Sequence, residues 1–321
     1  MTRDMVEHKT DSDARRASSP VLDRIYDSMV SLLARAGLEY RGGYVRTGEN
    51  TVHYLDYGPT EVSNSIFYRC PLVLLHGAGA GAAIWYRQIE RLAVNRRVLL
   101  PDNPILGLSS DPIITCSLHT FALDHLRSFL DRMCLDEVDI AGLSLGGTAA
   151  LGLAIEHPER VRNVAILNSV GLGRDLPIAV RLMGIPYLGR FFASPSKTLM
   201  DRVFVNWEVE HPKRPDAEAL KEYAYAVTRK DGYARHIAAR RFTSLFGQTK
   251  VFSDRELDRI KAPTLIIWGA NDRFFPYQHA ERAHELIPNS RLEILPETGH
   301  LSIWDEPEKT ARLLAEHFHQ P

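Results

Sequence analysis

Gly142-Leu143-Ser144-Leu145-Gly146-Gly147 follows the apolar run Val138–Ala141 and precedes a helix-like run, Leu145–His157. A serine on a sharp turn from strand to helix sits in strained backbone, and its neighbours two positions away must be small for the turn to close. Gly142 and Gly146 meet that need. Such a turn exposes the hydroxyl beside a helix N-terminus, whose unpaired N–H groups favour developing negative charge. An ordinary glycine-rich turn has no reason to lie between a strand and a helix, so Ser144 reads as a nucleophile.

A serine hydroxyl is a poor nucleophile until a base takes its proton. His300 follows the strand-like Leu292–Leu295 and the loop Pro296–Gly299, and Asp272 closes Trp268-Gly269-Ala270-Asn271-Asp272, just past the strand-like Leu265–Trp268. A single loop histidine or aspartate is usually a solvated or capping residue. Here the order Ser144, Asp272, His300 and the shared position past strand ends make the case jointly. His300 is expected to act as general base, with Asp272 fixing its tautomer and stabilising the imidazolium. Glu297 and Asp305 flank His300, yet neither follows a central strand. His76-Gly77-Ala78-Gly79-Ala80-Gly81 follows Leu72–Leu75; small residues there let backbone N–H groups approach a substrate oxygen, with the N–H of Leu145 as the natural second donor. Gly77, Gly79 and Trp304 are the expected substrate contacts, and His76 is expected to brace its loop.

Around these motifs, short apolar runs (Thr51–Tyr57, Leu72–Leu75, Val98–Leu100, Val138–Ile140, Val164–Leu167, Leu265–Trp268) alternate with helical patterns near Ala83–Ala93, Leu118–Met133, Leu145–His157 and Tyr277–Leu286. That alternation predicts an α/β fold, a parallel sheet with helices on both faces. Residues 1–20 read as a disordered N-terminus, too poor in apolar groups to offset ordering entropy. Val21, Leu22, Ile25, Met29, Leu32 and Leu33 predict a helix over 21–37 that packs on the main domain. The core then runs over 38–170 and 252–321, interrupted by a proline- and aromatic-rich helical cap over 171–251 without an obvious strand.

These motifs together resemble the α/β-hydrolase superfamily, from about Thr51 onward: His76-Gly77, the Gly142–Gly147 elbow, Trp268-Gly269-Ala270-Asn271-Asp272 and Gly299-His300. The resemblance implies a mostly parallel eight-stranded sheet with a helical cap, the triad Ser144, Asp272 and His300, and Ala78 and Leu145 as oxyanion donors. Two departures lie near the site: Ile105 stands where relatives often have glycine, and Ala80 where many have proline. Serine at the elbow points to acyl transfer, with carboxylic esters as the leading substrate class. The runner-up is hydrolysis of a carbon–carbon bond beside a carbonyl, as in meta-cleavage product hydrolases, which His76–Trp85, Trp268–Pro276 and Gly299–Trp304 resemble. Leu143 replaces the asparagine usual there, and no Arg-Trp pair occurs around Lys221–Tyr225. Leu182, Met183, Ile185, Tyr187, Leu188, Phe191 and Phe192 of the cap suit a pocket lining, but an apolar stripe is more often packing.

Competing classes fit less of the chain. Gly77–Ala82 matches G-x-G-x-x-A, with Asp102 after the next strand, as in a dinucleotide fold, but that leaves Ser144, Asp272 and His300 unexplained. A binding protein that uses the fold without turnover is opposed by the intact triad. His279 and His284 are five residues apart, ~140° around a helix, so they do not share a face for a metal. A net charge of -1 gives no sign of a nucleic-acid partner. Cys70, Cys116 and Cys134 lack metal-ligand spacing and fit a reducing compartment, here the cytoplasm. The expectation is thus an enzyme with a small-molecule substrate, no cofactor, no metal and no membrane span, compatible with a homo-oligomer.

Overall fold

The computed structural model describes residues 19–59, 70–112, 114–185, 189, 196–230, 232–244 and 246–319. Strands β1 (Gly42–Thr47) and β2 (Asn50–Tyr57) form an antiparallel pair. β3 (Leu72–Leu75), β4 (Val98–Pro101), β5 (Val138–Leu143) and β6 (Val161–Leu167) follow. Beyond the cap come β9 (Thr264–Gly269) and β10 (Ser290–Leu295). The eight form one sheet in the order β1-β2-β4-β3-β5-β6-β9-β10. β2 pairs antiparallel with β4, and every later pairing is parallel. This is the expected α/β architecture, with β1 as an additional edge strand.

Side chains alternate across the sheet, so each apolar run feeds two cores. Leu72, Leu74, Ala141, Leu143, Ala165, Leu167, Leu265 and Ile267 face one cluster. Val73, Leu75, Val138, Ile140, Val164, Ile166, Ile266 and Trp268 face the other. The first cluster is covered by α1 (Pro20–Arg35), α2 (Tyr86–Leu92, entered through the 3-10 turn Ala82–Trp85), the short α11 (Ser302–Asp305) and α12 (Pro307–Phe318). The second is covered by α3 (Leu118–Arg132), α4 (Leu145–Glu156) and α10 (Gln278–Leu286). Continuous apolar strands are what a sheet buried on both faces requires.

Between β6 and β9 lies the cap: α5 (Ile178–Met183), α6 (Lys197–Val203), a π turn (Phe204–Glu208), α7 (Ala217–Thr228) and α8 (Gly232–Phe242). A hairpin of two-residue strands, β7 (Thr243–Ser244) and β8 (Gly247–Gln248), completes it before α9 (Asp254–Asp258), so the expectation of a cap without strands needs that correction. Helix α1 begins one residue earlier than the apolar pattern indicated, because Ser19 caps it through Oγ to the Leu22 N–H (3.3 Å) and Pro20 suits the first turn. It buries Ile25, Met29, Leu32 and Leu33 chiefly against α7 of the cap rather than on the sheet domain alone. The remainder of the expected disordered segment, residues 1–18, lies outside the described residues. Among the described residues no helix is long and apolar enough to cross a membrane.

Candidate active site

The elbow is held from three sides. Ser144 has φ +52° and ψ −116°, a left-handed conformation for a residue with a side chain, and it stands between the last residue of β5 and the first of α4. Such strain costs about 1–3 kcal/mol and persists only where the surroundings over-determine it. Here the Ser144 N–H donates to Leu167 O (2.9 Å), while Ser144 O accepts from the N–H groups of Gly147 (3.0 Å) and Val170 (3.1 Å). A methyl group on Gly142 would collide with the Gly146 backbone, and one on Gly146 with the Leu75 carbonyl. Gly77 lies directly over the nucleophile: a Cβ there would come 3.0 Å from Ser144 Cβ. The N–H groups of Ala78, exposed on the same loop, and of Leu145, at the start of α4, have no acceptor among the described residues. Leu145 is the residue after the serine, and Ala78 the residue after Gly77, which packs on it.

Parallel pairing of β9 with β10 brings the other two loops together. Gly269 is in register with Leu295, and Asn271 N donates to Thr298 O (2.9 Å). Asp272 Oδ2 then lies 2.9 Å from His300 Nδ1, with the Asp272 side chain fully buried. Every lone pair of this carboxylate is addressed by a donor: Oδ1 accepts from the N–H groups of Phe274 (2.8 Å) and Phe275 (3.1 Å), Oδ2 also from Asn168 Nδ2 (2.8 Å). The acceptor at Nδ1 places the proton there and leaves Nε2 basic. Burial alone would lower the His300 pKa; the charge of Asp272, its hydrogen bond and the charge of Glu208 outweigh burial and hold it above the ordinary histidine value. The rings of Phe274 and Phe275 lie 4.9 and 5.3 Å from the imidazole and wall it in.

Asn168 was legible as a residue at the end of β6 but not as a partner of Asp272. Its side chain reaches that carboxylate because its backbone turns at φ +47°, which nothing in the sequence signals. Glu297 is exposed. Asp305 is fully buried but directs its oxygens elsewhere, to the N–H groups of Gly299 (2.8 Å), Glu210 (3.0 Å) and His211 (3.0 Å). Burial pushes its carboxyl up and those amides oppose the shift. Trp304, expected at the substrate, is only 2% exposed, under the Arg87 guanidinium (5.1 Å) and beside Phe204, with Nε1 donating to His211 O (3.2 Å). These contacts tie it to Phe204 and His211 of the cap.

The loop before α2 is braced as expected. The fully buried His76 contacts Gly77 O through Nδ1 (2.9 Å) and accepts the Asn103 N–H at Nε2 (2.8 Å). Burial lowers its pKa, so it stays neutral and fixed to the loop. Asp102 is equally enclosed: it meets His53 Nδ1 (2.7 Å) and accepts from the N–H groups of Ala82 (2.6 Å) and Leu108 (2.8 Å). Burial would raise its pKa, but these partners hold it below the carboxylate range. With no face exposed, Asp102 offers nothing to a ribose, which removes the structural basis of the dinucleotide reading. His279 pairs with Asp175 (2.8 Å) and His284 with Ser290 (2.9 Å), so the two face different partners. In the cap, Leu182, Met183 and Ile185 are half-buried, whereas Tyr187, Leu188, Phe191 and Phe192 lie outside the described residues.

Comparison with known proteins agrees with this geometry. A family model described as alpha/beta hydrolase fold matches residues 71–307. The 2-hydroxy-6-oxononadienedioate/2-hydroxy-6-oxononatrienedioate hydrolase 2 of Pseudomonas putida is 33% identical, over 84% of this chain and 93% of its own. Among solved structures, the 2-hydroxy-6-oxo-6-phenylhexa-2,4-dienoate hydrolase of Rhodococcus sp. strain RHA1 matches with a TM-score of 0.73 and 24% identity, over 88% of this chain and 99% of its own. A carboxylesterase from Bacillus subtilis matches with a TM-score of 0.74 and 23% identity, over 94% and 99%. At these identities both structures speak for the fold alone.

Proposed function

Because this chain belongs to the α/β-hydrolase fold family, with a serine-hydrolase mechanism, we propose that it cleaves a carbon–carbon bond beside a ketone in a 2-hydroxy-6-oxo-dienoate. The observation that carries this reading is the 33% identity, over 84% of the chain, to a hydrolase named for such substrates. It reverses the order expected from sequence, in which ester hydrolysis led. Of the two contrary cues, Leu143 is 1% exposed and packs in the core at the end of β5, so its identity answers to packing; the missing Arg-Trp pair around Lys221–Tyr225 still stands against the reading.

The chemistry follows from the arrangement. Ser144 Oγ attacks the 6-ketone as His300 Nε2 removes its proton. The ketone oxygen becomes an oxyanion, for which the N–H groups of Ala78 and Leu145 are the donors. A carbon leaving group departs only when its electron pair is delocalised. In the dienol form the C5 pair would lie in the molecular plane, so the dienol first ketonises, losing the 2-hydroxyl proton and gaining one at C5. The released pair then runs through C3=C4 into the 2-ketone. Carbon–carbon cleavage leaves an acyl group on Ser144 and a 2-dienolate, whose oxygen takes the proton held by His300 to give the 2-hydroxydienoate product. Water, deprotonated by His300, then releases the carboxylic acid and restores the serine.

A screen of 2-hydroxy-6-oxo-dienoates against aryl esters tests this, read as loss of dienoate absorbance and release of the phenol. The expected kcat/KM for a dienoate exceeds that for any ester by about a hundredfold or more, since a site built for one substrate's polar groups penalises analogues that lack them. Ester cleavage without dienoate cleavage overturns the reading in favour of an esterase. The pH dependence carries a second expectation. The base works only when neutral, and its pKa is held above the usual value, so activity should fall with acidification at a pH above the ordinary histidine range. A kcat/KM profile flat down to pH 5 would move the base away from His300.

A further inference from the structure

The stretch 204–214 closes the cap onto the two loops that carry Asp272 and His300, mostly through backbone groups. Leu301 N donates to Glu208 O (2.9 Å), and Arg273 reaches Asn206 O (2.9 Å) and Glu210 (3.1 Å). Arg214 donates to Asp305 O. The close approach depends on Gly299, where a Cβ would come 2.9 Å from Glu208 O. The π turn Phe204–Glu208 ends at Glu208, and turns of this kind re-aim side chains and recur at functional sites.

Along this strap Glu210 pairs with Arg273, and Asp305, which the strap meets, receives three amides. The carboxyl of Glu208 has no hydrogen bond or ion pair among the described residues. The charged group that acts on it is His300; burial pushes the Glu208 carboxyl up, and the imidazole's charge pulls it partly back. Glu208 is half-buried, on the strap that covers the loop carrying His300, where the Leu301 N–H holds its backbone (2.9 Å). The imidazolium beside it forms in each turnover.

We propose that Glu208 is a second acidic partner of His300, a positioning residue delivered by the cap, which stabilises the imidazolium and ties the strength of the base to the seating of the cap. His300 is then faced by Asp272 from the core at Nδ1 and by Glu208 from the cap; of the other charged or titratable groups nearby, Arg273, Glu210 and Asp305 are engaged in the contacts above, and His211 joins them through its backbone N–H and C=O. No bond is made or broken at Glu208, whose charge alone acts. The inference rests on His300 as the base and does not depend on which substrate is cleaved.

The test is an NMR titration of His300 in the Ser144→Ala background, using 13C-labelled histidine and assigned by a His300→Gln control. Adding Glu208→Gln should lower the His300 midpoint by on the order of 0.5–1 pH unit, the effect of removing a nearby opposite charge. In the active enzyme Glu208→Gln should move the acid limb the same way and lower plateau kcat several-fold, with Glu208→Asp intermediate. Coincident His300 midpoints with and without the carboxyl overturn the proposal. If Glu208→Gln does not fold, Glu208→Met, which keeps the backbone contacts, is read by the same titration. A shifted midpoint in a protein that turns over no dienoate supports Glu208 while faulting the substrate reading, so the two failures are distinguishable.

Discussion

Ser144→Ala lowers kcat by on the order of 10⁶, with the melting temperature within a few degrees of the parent. The substitution removes one oxygen that makes none of the elbow's hydrogen bonds; those run through the Ser144 N–H and C=O to Leu167, Gly147 and Val170. Alanine inherits the same φ of +52°, held by β5 and α4, so the backbone strain is unchanged. Gly77, pressed against the Ser144 side chain, gains a little space rather than losing a partner. What disappears is the nucleophile, leaving only the rate that binding and the two N–H donors provide. Single-turnover measurement of dienoate disappearance checks it, and a variant retaining more than a few per cent of parent activity would exclude a serine mechanism.

Asp272→Asn should cost about 10⁴ in kcat, and the reason lies in the donors around the carboxylate. All four partners, the Phe274 and Phe275 N–H groups, Asn168 Nδ2 and His300 Nδ1, are donors or serve as donors here. An amide must turn its own NH2 toward two of them. If it faces the imidazole, the ring takes the opposite tautomer and presents a protonated Nε2 to Ser144; if it faces Phe274 and Phe275, the loop loses bonds worth about 1–3 kcal/mol. Asp305→Asn introduces the same conflict at Gly299, Glu210 and His211, so its expected mark is a lowered melting temperature from a loosened cap, with a smaller loss of kcat. Glu297→Gln, on an exposed side chain, should change stability by no more than about 0.5 kcal/mol. Mild kinetics for Asp272→Asn beside crippled kinetics for Asp305→Asn would reassign the acid.

The residues that could be read from sequence are those whose chemistry demands a local pattern. Gly142 and Gly146 announce the elbow because no other side chain fits against Gly146 and Leu75, and the strand runs announce the sheet because both faces are buried. β1 escaped notice because Gly42-Gly43-Tyr44-Val45-Arg46-Thr47 is an edge strand that opens on two glycines, with only alternate residues buried. Asn168 and Glu208 escaped for another reason. Each reaches the imidazole or its acid through tertiary placement, from the end of β6 and from a π turn in the cap, and neither belongs to a short motif. The cap contact of Trp304 could not be read either, because His211 lies 93 positions away along the chain.

The pairing of β6 with β9 sets the order in which this enzyme comes to life. Val164 and Thr264 are partners in the sheet, yet a hundred positions of chain separate them, and closing so long a loop is entropically costly and slow compared with local helix and hairpin formation. The serine rides on β5, ahead of that gap, while Asp272 and His300 follow β9 and β10 beyond it. A nascent chain that has emerged only as far as the cap can shape its strained turn but holds neither a base nor an acid. Hydrolytic competence is therefore withheld during synthesis and arrives in one step, when the last two strands dock.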